Sequence, residues 1–561
     1  MPIPIKLIQK AQKLLSLETG TVHKTAGGRL SLVLAFPNTY RLGMSSLGFQ
    51  LVYGMLNSDP EVVCERVFLP ESSDLNLLVR SGSRLFSLES QTSVEQFDAL
   101  GFSISFELDY LNVLRVLSLS GLPLLAAERD ESHPLVIAGG PCATFNPEPV
   151  ADFVDLFVVG EAEDVMPELV AVLKKLHDTP RTDLLREIAQ IDGVYVPRFY
   201  TPTYGDDGRL LGVDVSGGVP KTVKRRRTAF LDEQNAASTI QTPETEFGMM
   251  RLIEVIRGCR RQCRFCVAGY TDLPPRPRKV NVPQDAKRIG LVGSSVFDHP
   301  DALLICEDIT GQGREFSVSS TRIESLTGPL AKLMHGAGQE TITLAPEAGT
   351  ERLRRTINKD ILDPEVFEAV ETAASAGFRR VKLYFMVGLP TETDEDVEAI
   401  GHLARSIARN FRSLSIQLSV SCFVPKPWTP FQWVAMATER ELSAKLAVVR
   451  KSVAGDRQIK LNSESPRLSV VQGWLARGDR RLSAALIAAL QEDSYSRGIA
   501  QAGLDPAFYA QRLRDRDEVL PWDHIDMGVK KDYLWREYQN ALQGKPSLPC
   551  NTPECKRCGV C

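Results

Sequence analysis

Three cysteines follow a short apolar run in the middle of the sequence. The segment RLIEVIRGCRRQCRFCVAGY, residues 251–270, places Cys259, Cys263 and Cys266 at C-x3-C-x2-C spacing directly after the apolar residues 252–256. Three thiolates within eight residues can wrap a single metal cluster, and no fourth cysteine lies nearby. Cubane iron–sulfur clusters usually take four cysteines, so three would leave one iron open to a ligand that is not protein.

Zinc and buried structural thiols are the alternatives for these cysteines. A zinc site needs four protein ligands, or three and a water molecule, and none of the seven histidines lies within thirty residues. The spacing therefore favours a cluster. With Phe265 just before the last cysteine, the segment resembles the cluster loop of the radical S-adenosylmethionine (radical SAM) superfamily. The resemblance implies that the amino and carboxylate groups of S-adenosylmethionine chelate the open iron.

The first 180 residues alternate between short apolar runs and segments of helical periodicity. This rhythm predicts a doubly wound parallel sheet, which binds ligands beyond the carboxyl ends of its strands. The loops expected there are residues 37–39, 139–141 and 160–163. The order of GGPxxTxNPEP and VVGEAED resembles the cobalamin-binding-like N-terminal domain of one large branch of radical SAM proteins.

The sequence departs from that branch in one respect. The Asp-x-His-x-x-Gly signature, which supplies a histidine to cobalt, is absent, and His23, His133 and His177 lie in other contexts. We therefore expect cobalamin to bind without a protein histidine on cobalt. The alternative is a sheet that keeps the fold and has lost the corrinoid.

A second α/β region begins at residue 250, where six predicted strands alternate with helices. The region resembles the partial β6/α6 radical SAM barrel. By that resemblance, cofactor contacts fall on Gly293, Ser294, Ser319, Arg322 and Glu347, and Gly388 and Pro390 frame the pocket. Arg322 would pair with the carboxylate of S-adenosylmethionine and Glu347 with its ribose or ammonium group. The alternative is that Arg322 and Glu347 only pair with each other or cap helices.

The sequence closes with CNTPECKRCGVC, which contains four cysteines in twelve residues: Cys550, Cys555, Cys558 and Cys561. Zinc sites generally use two separated pairs of ligands, whereas runs this compact resemble ferredoxin spacings. We expect a second iron–sulfur cluster here, with zinc as the alternative.

The predicted fold class is α/β, with an N-terminal doubly wound (cobalamin-binding-like) sheet, a partial β6/α6 radical SAM barrel and a helical C-terminal region. The expected divisions are a helix at 1–20, the cobalamin-binding-like domain at 21–185, a hairpin and linker at 186–247, the barrel at 248–435, the helical region at 436–545 and the cysteine-rich tail at 546–561. With its N-terminal pieces and the segment PWDHID, the chain resembles uncharacterised radical SAM proteins that carry a B12-binding domain.

The predicted function is a radical SAM enzyme that cleaves S-adenosylmethionine for C–H activation, with methyl transfer expected if cobalamin binds. One alternative is methylthiolation or a related modification of RNA or protein, and another is a non-catalytic RNA- or ribosome-associated iron–sulfur protein. A reductant such as flavodoxin or ferredoxin is the expected partner, alongside an unknown substrate. The net charge of −4 does not support RNA binding in general. With no long apolar run and no signal peptide, we expect no membrane contact and a reducing cytoplasm.

Overall fold

The computed structural model describes residues 2–234, 236–551 and 554–560. The chain forms two compact units. The first unit comprises Met1–Met250, Leu475–Pro506 and Asp517–Met527, and the second comprises Arg251–Trp474, Ala507–Arg516 and Gly528–Cys561. The chain therefore passes between the units five times. Among the described residues, no helix is both long and apolar enough to cross a membrane.

The described residues of the N-terminal segment form nine strands and eight α-helices. The strands are β1 Leu30–Phe36, β2 Val62–Phe68, β3 Ala99–Ser103, β4 Leu135–Gly139, β5 Leu156–Val158, β6 Val194–Tyr195, β7 Tyr200–Tyr204, β8 Leu210–Val215 and β9 Val223–Lys224. The helices are α1 Ile5–Ser16, α2 Tyr40–Gly43, α3 Leu47–Ser58, α4 Ser72–Ser81, α5 Tyr110–Ser120, α6 Pro141–Phe145, α7 Ala162–Leu173 and α8 Arg181–Ile188.

Six of these strands form one sheet in the order β2-β1-β3-β4-β5-β6, parallel except for β6. The strands are almost wholly buried, as expected where helices cover both faces of a parallel sheet. The order of the first five strands is that of the flavodoxin-like sheet, whose ligand crevice opens between β1 and β3. The predicted doubly wound sheet is confirmed.

Two segments of the predicted hairpin and linker differ from expectation. Val194 and Tyr195 pair with β5 as part of the large sheet, so the antiparallel hairpin is limited to β7 and β8. Farther along, the backbone of Arg226 pairs with the 159–161 segment. The amide of Thr228 then donates to the Glu161 carboxylate at 2.9 Å. The chain's own linker therefore contacts the GEAED loop that the sequence assigned to a ligand.

The segment 251–474 contains eight strands and seven helices, the last of which ends at Ala476. The strands are β10 Arg251–Arg257, β11 Arg276–Pro277, β12 Arg288–Gly293, β13 Glu315–Val318, β14 Thr341–Glu347, β15 Arg380–Val387, β16 Ser415–Cys422 and β17 Ile459–Ser463. The helices are α9 Ala302–Gly311, α10 Gly328–Gly336, α11 Glu351–Thr356, α12 Asp363–Ser375, α13 Asp394–Asn410, α14 Glu439–Val453 and α15 Pro466–Ala476.

Parallel strands of this segment form a curved sheet in two parts. One part runs β10-β12-β13, with β11 antiparallel to β10, and the other runs β14-β15-β16-β17. A bridge between Thr321 and Leu344 joins the two parts. The six predicted strands are all present, and β17 adds a seventh that its partly exposed, polar sequence did not indicate.

The C-terminal elements are α16 Leu482–Glu492, α17 Tyr495–Gln501, α18 Pro506–Ala510, β18 Ile525–Asp526 and α19 Lys531–Leu542. In the first unit, strand β18 pairs with β9, and Tyr495 exchanges hydrogen bonds with the backbone at the start of α5. A buried polar cluster lies nearby: Arg480 and Tyr195 bond the Glu148 carboxylate, and His524 lies 3.6 Å from it. Distant parts of the sequence thus complete the first unit.

Candidate cluster and cofactor site

The three-cysteine loop leaves strand β10 through a tight turn at Gly258. Its φ is +85°, and a Cβ there would lie 2.1 Å from the carbonyl oxygen of Asp272. Only glycine fits such a left-handed position with backbone pressed against it. The turn brings the chain from the end of β10 directly into Cys259, at the carboxyl edge where barrel enzymes carry their chemistry.

Hydrogen bonds within the loop hold the backbone that carries the three cysteines. The amide of Cys266 donates to the Cys263 carbonyl at 3.0 Å, and the Tyr270 hydroxyl donates to the Gln262 carbonyl at 2.9 Å. Cys263 is buried, while Cys259 and Cys266 are partly exposed. Burial, followed by the neighbouring thiols of Cys263 and Cys259, raises the pKa of Cys266 to about 12.

This donor set fits a cluster that binds each thiolate at a different iron. Among the described residues, no group of three or more His, Cys, Asp or Glu side chains is arranged around one metal ion. A cubane does not need its ligands to converge on one point. The three thiols of the loop fit the predicted cluster in their number and in their spacing along the sequence.

Arg264 anchors the cysteine loop to three other segments of the chain. Its guanidinium is fully buried and donates to the carbonyls of Arg355 and Thr356 at 3.1 and 2.9 Å, at the end of α11. It also faces the Glu537 carboxylate of α19 at 3.2 Å and donates to the Lys545 carbonyl at 2.6 Å. Because Arg presents five donors in a rigid fork, one side chain ties three segments to the loop.

Buried polar atoms without partners lie in the loops that follow β12 and β13. Within the described chain, the atoms that lack a hydrogen bond there include Ser295 Oγ, Asp298 Oδ2, Thr321 Oγ1 and Arg322 Nε, and Arg261 Nε in the cysteine loop also lacks one. Native interiors leave few such atoms unpaired, so each needs an explanation. Their concentration at one end of the barrel points to a polar ligand.

The thiols of the cysteine loop raise the pKa of Arg322. Burial lowers its pKa, but the thiols of Cys263 and Cys259 and the Glu324 carboxylate raise it by more, so the net shift is upward. Its Nη2 donates to Glu324 at 2.7 Å. Arg261 lies 3.5 Å from Asp298 and 3.8 Å from Glu324. The loop thus faces a mixed-charge surface with two arginines and two carboxylates.

The two serines assigned from the sequence are not the hydroxyl residues that the structure buries. Ser294 and Ser319 are exposed, whereas Ser295 and Thr321 are buried with unsatisfied hydroxyls. Gly293 permits close packing, because a Cβ there would lie 2.7 Å from Ile256 Cγ2. Asp298 was not assigned from the sequence, and no motif marks it.

The remaining assigned residues have protein partners. Glu347 pairs with Lys359 at 2.9 Å, and not with Arg322, so the two assigned charges do not neutralise each other. The Gly388 amide donates to the Glu392 carboxylate at 2.7 Å, and Lys445 pairs with the same carboxylate at 2.9 Å. Pro390 lies partly exposed in this loop.

The cysteine tail packs against the three-cysteine loop. The Cys550 amide donates to the Arg260 carbonyl at 2.6 Å, and the Lys530 amide donates to the Cys558 carbonyl at 2.9 Å. Arg557 Nε donates to Cys555 Sγ at 3.2 Å, and the pKa of that thiol is lowered, burial opposing and Arg557 favouring the thiolate. Cys561 lies outside the described residues.

At the crevice of the first unit, Asn38 follows β1 and Asp109 precedes α5. The amides of Asn38 and Asn112 both donate to Asp109 Oδ1, at 2.8 and 3.0 Å. Burial nevertheless raises the pKa of Asp109 to about 6. A polar group thus lies at the β1/β3 opening where flavodoxin-like sheets bind ligands.

Two family models match the chain, one to each α/β region. The model of the N-terminal part of radical SAM proteins matches residues 48–197, and the model of the radical SAM superfamily matches residues 253–404, which contain all three loop cysteines. The chain belongs to the radical SAM superfamily. The family predicted from the sequence is confirmed, and membership supports an enzymatic role for this radical SAM protein.

Two relatives extend the comparison. The uncharacterised protein MJ0966 of Methanocaldococcus jannaschii is 29% identical over 486 residues, covering 82% of this radical SAM protein and 94% of its own length. A protein named uncharacterised methyltransferase PH0819, from Pyrococcus horikoshii, is 24% identical over 311 residues, covering 52% of this chain and 62% of its own.

Solved structures with a similar arrangement are radical SAM proteins as well. The methyltransferase TsrM from Kitasatospora setae, with cobalamin and a [4Fe–4S] cluster bound, aligns with a TM-score of 0.49 at 12% identity, over 84% of this chain and 98% of its own. The cobalamin-dependent enzyme OxsB, with aqua-cobalamin and S-adenosylmethionine bound, aligns with a TM-score of 0.44 at 15% identity, over 67% of this chain and 52% of its own.

Proposed function

We propose that this radical SAM protein cleaves S-adenosylmethionine at a [4Fe–4S] cluster held by Cys259, Cys263 and Cys266. When bound, the reduced cluster supplies one electron to the sulfonium, giving methionine and a 5′-deoxyadenosyl radical that abstracts hydrogen from the substrate. The protein contributes the binding surface, the orientation of the cofactor and the exclusion of water.

The unsatisfied polar atoms of the barrel mouth support this function best. S-adenosylmethionine carries a carboxylate, an ammonium group and two ribose hydroxyls. Arg322 would hold the carboxylate through charge-assisted hydrogen bonds, and Asp298 would accept from the ammonium group. The Ser295 and Thr321 hydroxyls add donors and acceptors beside them. Glu347 accepts a hydrogen bond from Lys359 through Oε1. It would accept from a ribose hydroxyl as well.

A cleavage assay with matched cysteine variants tests the proposal. Anaerobically reconstituted protein with dithionite and S-adenosylmethionine should release 5′-deoxyadenosine, and Cys263→Ala should release none. Cys306→Ala, a buried thiol in α9, is the control and should retain the activity. Equal release by the wild type and Cys263→Ala would refute the assignment.

We further propose that the reaction is a cobalamin-dependent methyl transfer. The flavodoxin-like strand order supports a corrinoid at the β1/β3 opening, beside Asn38 and Asp109, rather than at the GEAED loop, which the linker contacts. The relative named as a methyltransferase supports the transfer of a methyl group. Because the histidine signature is absent, bound cobalamin should show the base-off optical spectrum. An imidazole-ligated spectrum, or no binding at micromolar corrinoid, would contradict this part.

We assign the tail cysteines Cys550, Cys555, Cys558 and Cys561 to an auxiliary iron–sulfur cluster. Compact spacing supports iron over zinc, and thiolate-ligated iron is redox-active whereas zinc is not. A one-electron reductant and an organic substrate complete the reaction.

A further inference from the structure

The part of the barrel sheet formed by β15, β16 and β17 has two unlike faces. Leu383 and Leu418 are fully buried on one face, and helices α13 and α14 contact the strands of this part. Tyr384 and Ser419, the next residues along the same strands, lie on the other face and are only partly buried. Because the helices of a β/α barrel form its outer ring, the partly buried face is the inner face of the barrel wall.

Six polar residues form two rows across this inner face. The first row is Lys382, Gln417 and Lys460, and the second is Tyr384, Ser419 and Asn462. Neighbouring strands lie about 4.8 Å apart, so the Cα atoms of the two lysines are about 10 Å apart. The second row lies about 7 Å nearer the carboxyl ends of the strands. A small organic molecule can therefore contact both rows at once.

The two lysines bring positive charge to the inner face. Lys382 Nζ lies over the ring of Tyr384, 4.8 Å from its centroid, so the ammonium group is held towards the second row. Lys460 is exposed. Among the residues that the structure describes, neither lysine forms a salt bridge with a carboxylate. The charge of the first row is therefore available to a ligand.

Protein carboxylates at the ends of the neighbouring strands have other partners. Glu347, at the end of β14, pairs with Lys359 at 2.9 Å, and the Glu464 carboxylate, just after β17, accepts from the Cys422 amide. Lysine and asparagine are depleted from strands in general, and closed barrels fill their interior with apolar side chains. Lysines and amide donors at in-register positions therefore indicate a site for an anion that the chain itself does not supply.

We propose that Lys382 and Lys460 bind an oxyanion, the phosphate or carboxylate group of a small organic substrate. Lysine ammonium groups act as point charges on flexible stems, so two of them can approach one anion from opposite sides. The Gln417 amide between them would donate a third hydrogen bond. The Tyr384 hydroxyl and the Asn462 amide would bond the part of the substrate nearer the carboxyl ends of the strands. The inference rests on the proposed function, to which it adds the class of substrate.

Lysine acetylation measures the occupancy of this site without turnover. The reconstituted full-length protein is treated with limiting acetic anhydride, in sodium phosphate or in sodium chloride of equal ionic strength, and each modified lysine is quantified by mass spectrometry. Phosphate well above its Kd should slow the acetylation of Lys382 and Lys460 about fivefold, because only unoccupied sites react. Lys451, exposed on α14, should slow by less than twofold. Sodium malonate in a parallel sample separates the two sources of the anion: protection by phosphate alone identifies a phosphate ester, and protection by malonate identifies a carboxylate.

Single variants test whether the two lysines act together. Lys382→Gln should remove the protection of Lys460, and Lys460→Gln that of Lys382, whereas Lys451→Gln should leave both protected. The buried Lys359 should stay unmodified in each variant, which shows that the variant is folded.

Three results would overturn the inference: equal slowing of all three lysines, slowing of none with either anion, or protection of one lysine that survives loss of the other. Failure to release 5′-deoxyadenosine is a separate result that bears on the proposed function alone, because the acetylation samples contain neither S-adenosylmethionine nor a reductant.

Discussion

The Arg264 guanidinium and the Glu537 carboxylate face each other at 3.2 Å, one on the cluster loop and the other on helix α19. Both side chains are almost fully buried. The pair therefore couples the geometry of the loop cysteines to the packing of a helix that lies more than 270 residues later in the sequence.

Glu537→Ala should destabilise the second unit by about 3 to 5 kcal/mol, because it leaves the buried Arg264 charge uncompensated. The measurement is anaerobic denaturant unfolding of the apo-protein, with iron retention of the reconstituted protein as a second readout. Glu398→Ala on α13 removes an exposed carboxylate and should change stability by less than about 0.5 kcal/mol. Equal stability of the two variants would contradict the proposed anchoring.

Arg322→Gln should weaken S-adenosylmethionine binding about 10- to 100-fold and leave the iron content unchanged. A hydrogen bond to a charged group contributes about 1.5 to 3 kcal/mol, which corresponds to that range. Equilibrium binding to the reconstituted protein measures the change. Arg288→Gln, at the opposite end of β12 and exposed, is the control. Loss of iron in Arg322→Gln would show a role in holding the loop instead.

Asp109→Asn should stabilise the first unit at pH 8 and have little effect at pH 4. The folded pKa of Asp109 is about 6, above the unfolded value near 3.9, so the folded state binds the proton more tightly. Ionising Asp109 therefore costs folding free energy. The cost is close to zero below pH 4, grows as the pH rises and reaches about 3 kcal/mol above pH 6. Thermal unfolding at both pH values measures it.

Two features make the Asp109 comparison specific. Both amide donors bond Oδ1, so an asparagine oxygen can keep those bonds. Asp206→Asn, in the exposed hairpin turn, should show no pH-dependent gain. A gain for Asp109→Asn that is the same at pH 4 and pH 8 would exclude ionisation as its cause.

Metal analysis distinguishes the two cysteine clusters. The wild type should carry about eight irons per chain, and Cys263→Ala and a chain ending at Leu548 about four each, taking four per cubane. Inductively coupled plasma measurements give iron and zinc together. If truncation removes one zinc and leaves the iron unchanged, the tail holds a structural zinc, and the assignment of an auxiliary iron–sulfur cluster is wrong.

The sequence pattern predicted the parts of the fold that depend on burial. Strand β4, Leu135–Gly139, belongs to the short apolar runs of the first 180 residues, because a strand covered on both faces needs a continuous apolar run. Strand β17 was missed, since it alternates between partly exposed and exposed residues and its pairing with β16 is long-range.

The buried hydroxyl residues after β12 and β13 lie one or two positions from the serines that the resemblance assigned. Family resemblance located the loops after β12 and β13, but strand alternation ends there and cannot say which hydroxyl turns inward. Ser295 and Thr321 do so, and Ser294 and Ser319 do not. Asp298 enters through the turn after β12, and the linker reaches the GEAED loop from more than sixty residues away. Such contacts depend on tertiary packing that one sequence does not encode locally.

The chain's repeated passage between its two units has a consequence for biosynthesis. Glu148 acquires its partners Arg480 and His524 only after about 280 further residues have followed residue 250, which takes roughly 15 to 55 s at 5 to 20 residues per second. The unit that is begun first is therefore completed only when its last segment, Asp517–Met527, has been translated. During that interval the nascent polypeptide presents a first unit that has its six-stranded sheet but lacks its C-terminal elements, and chaperones at the ribosome exit would have the opportunity to bind it.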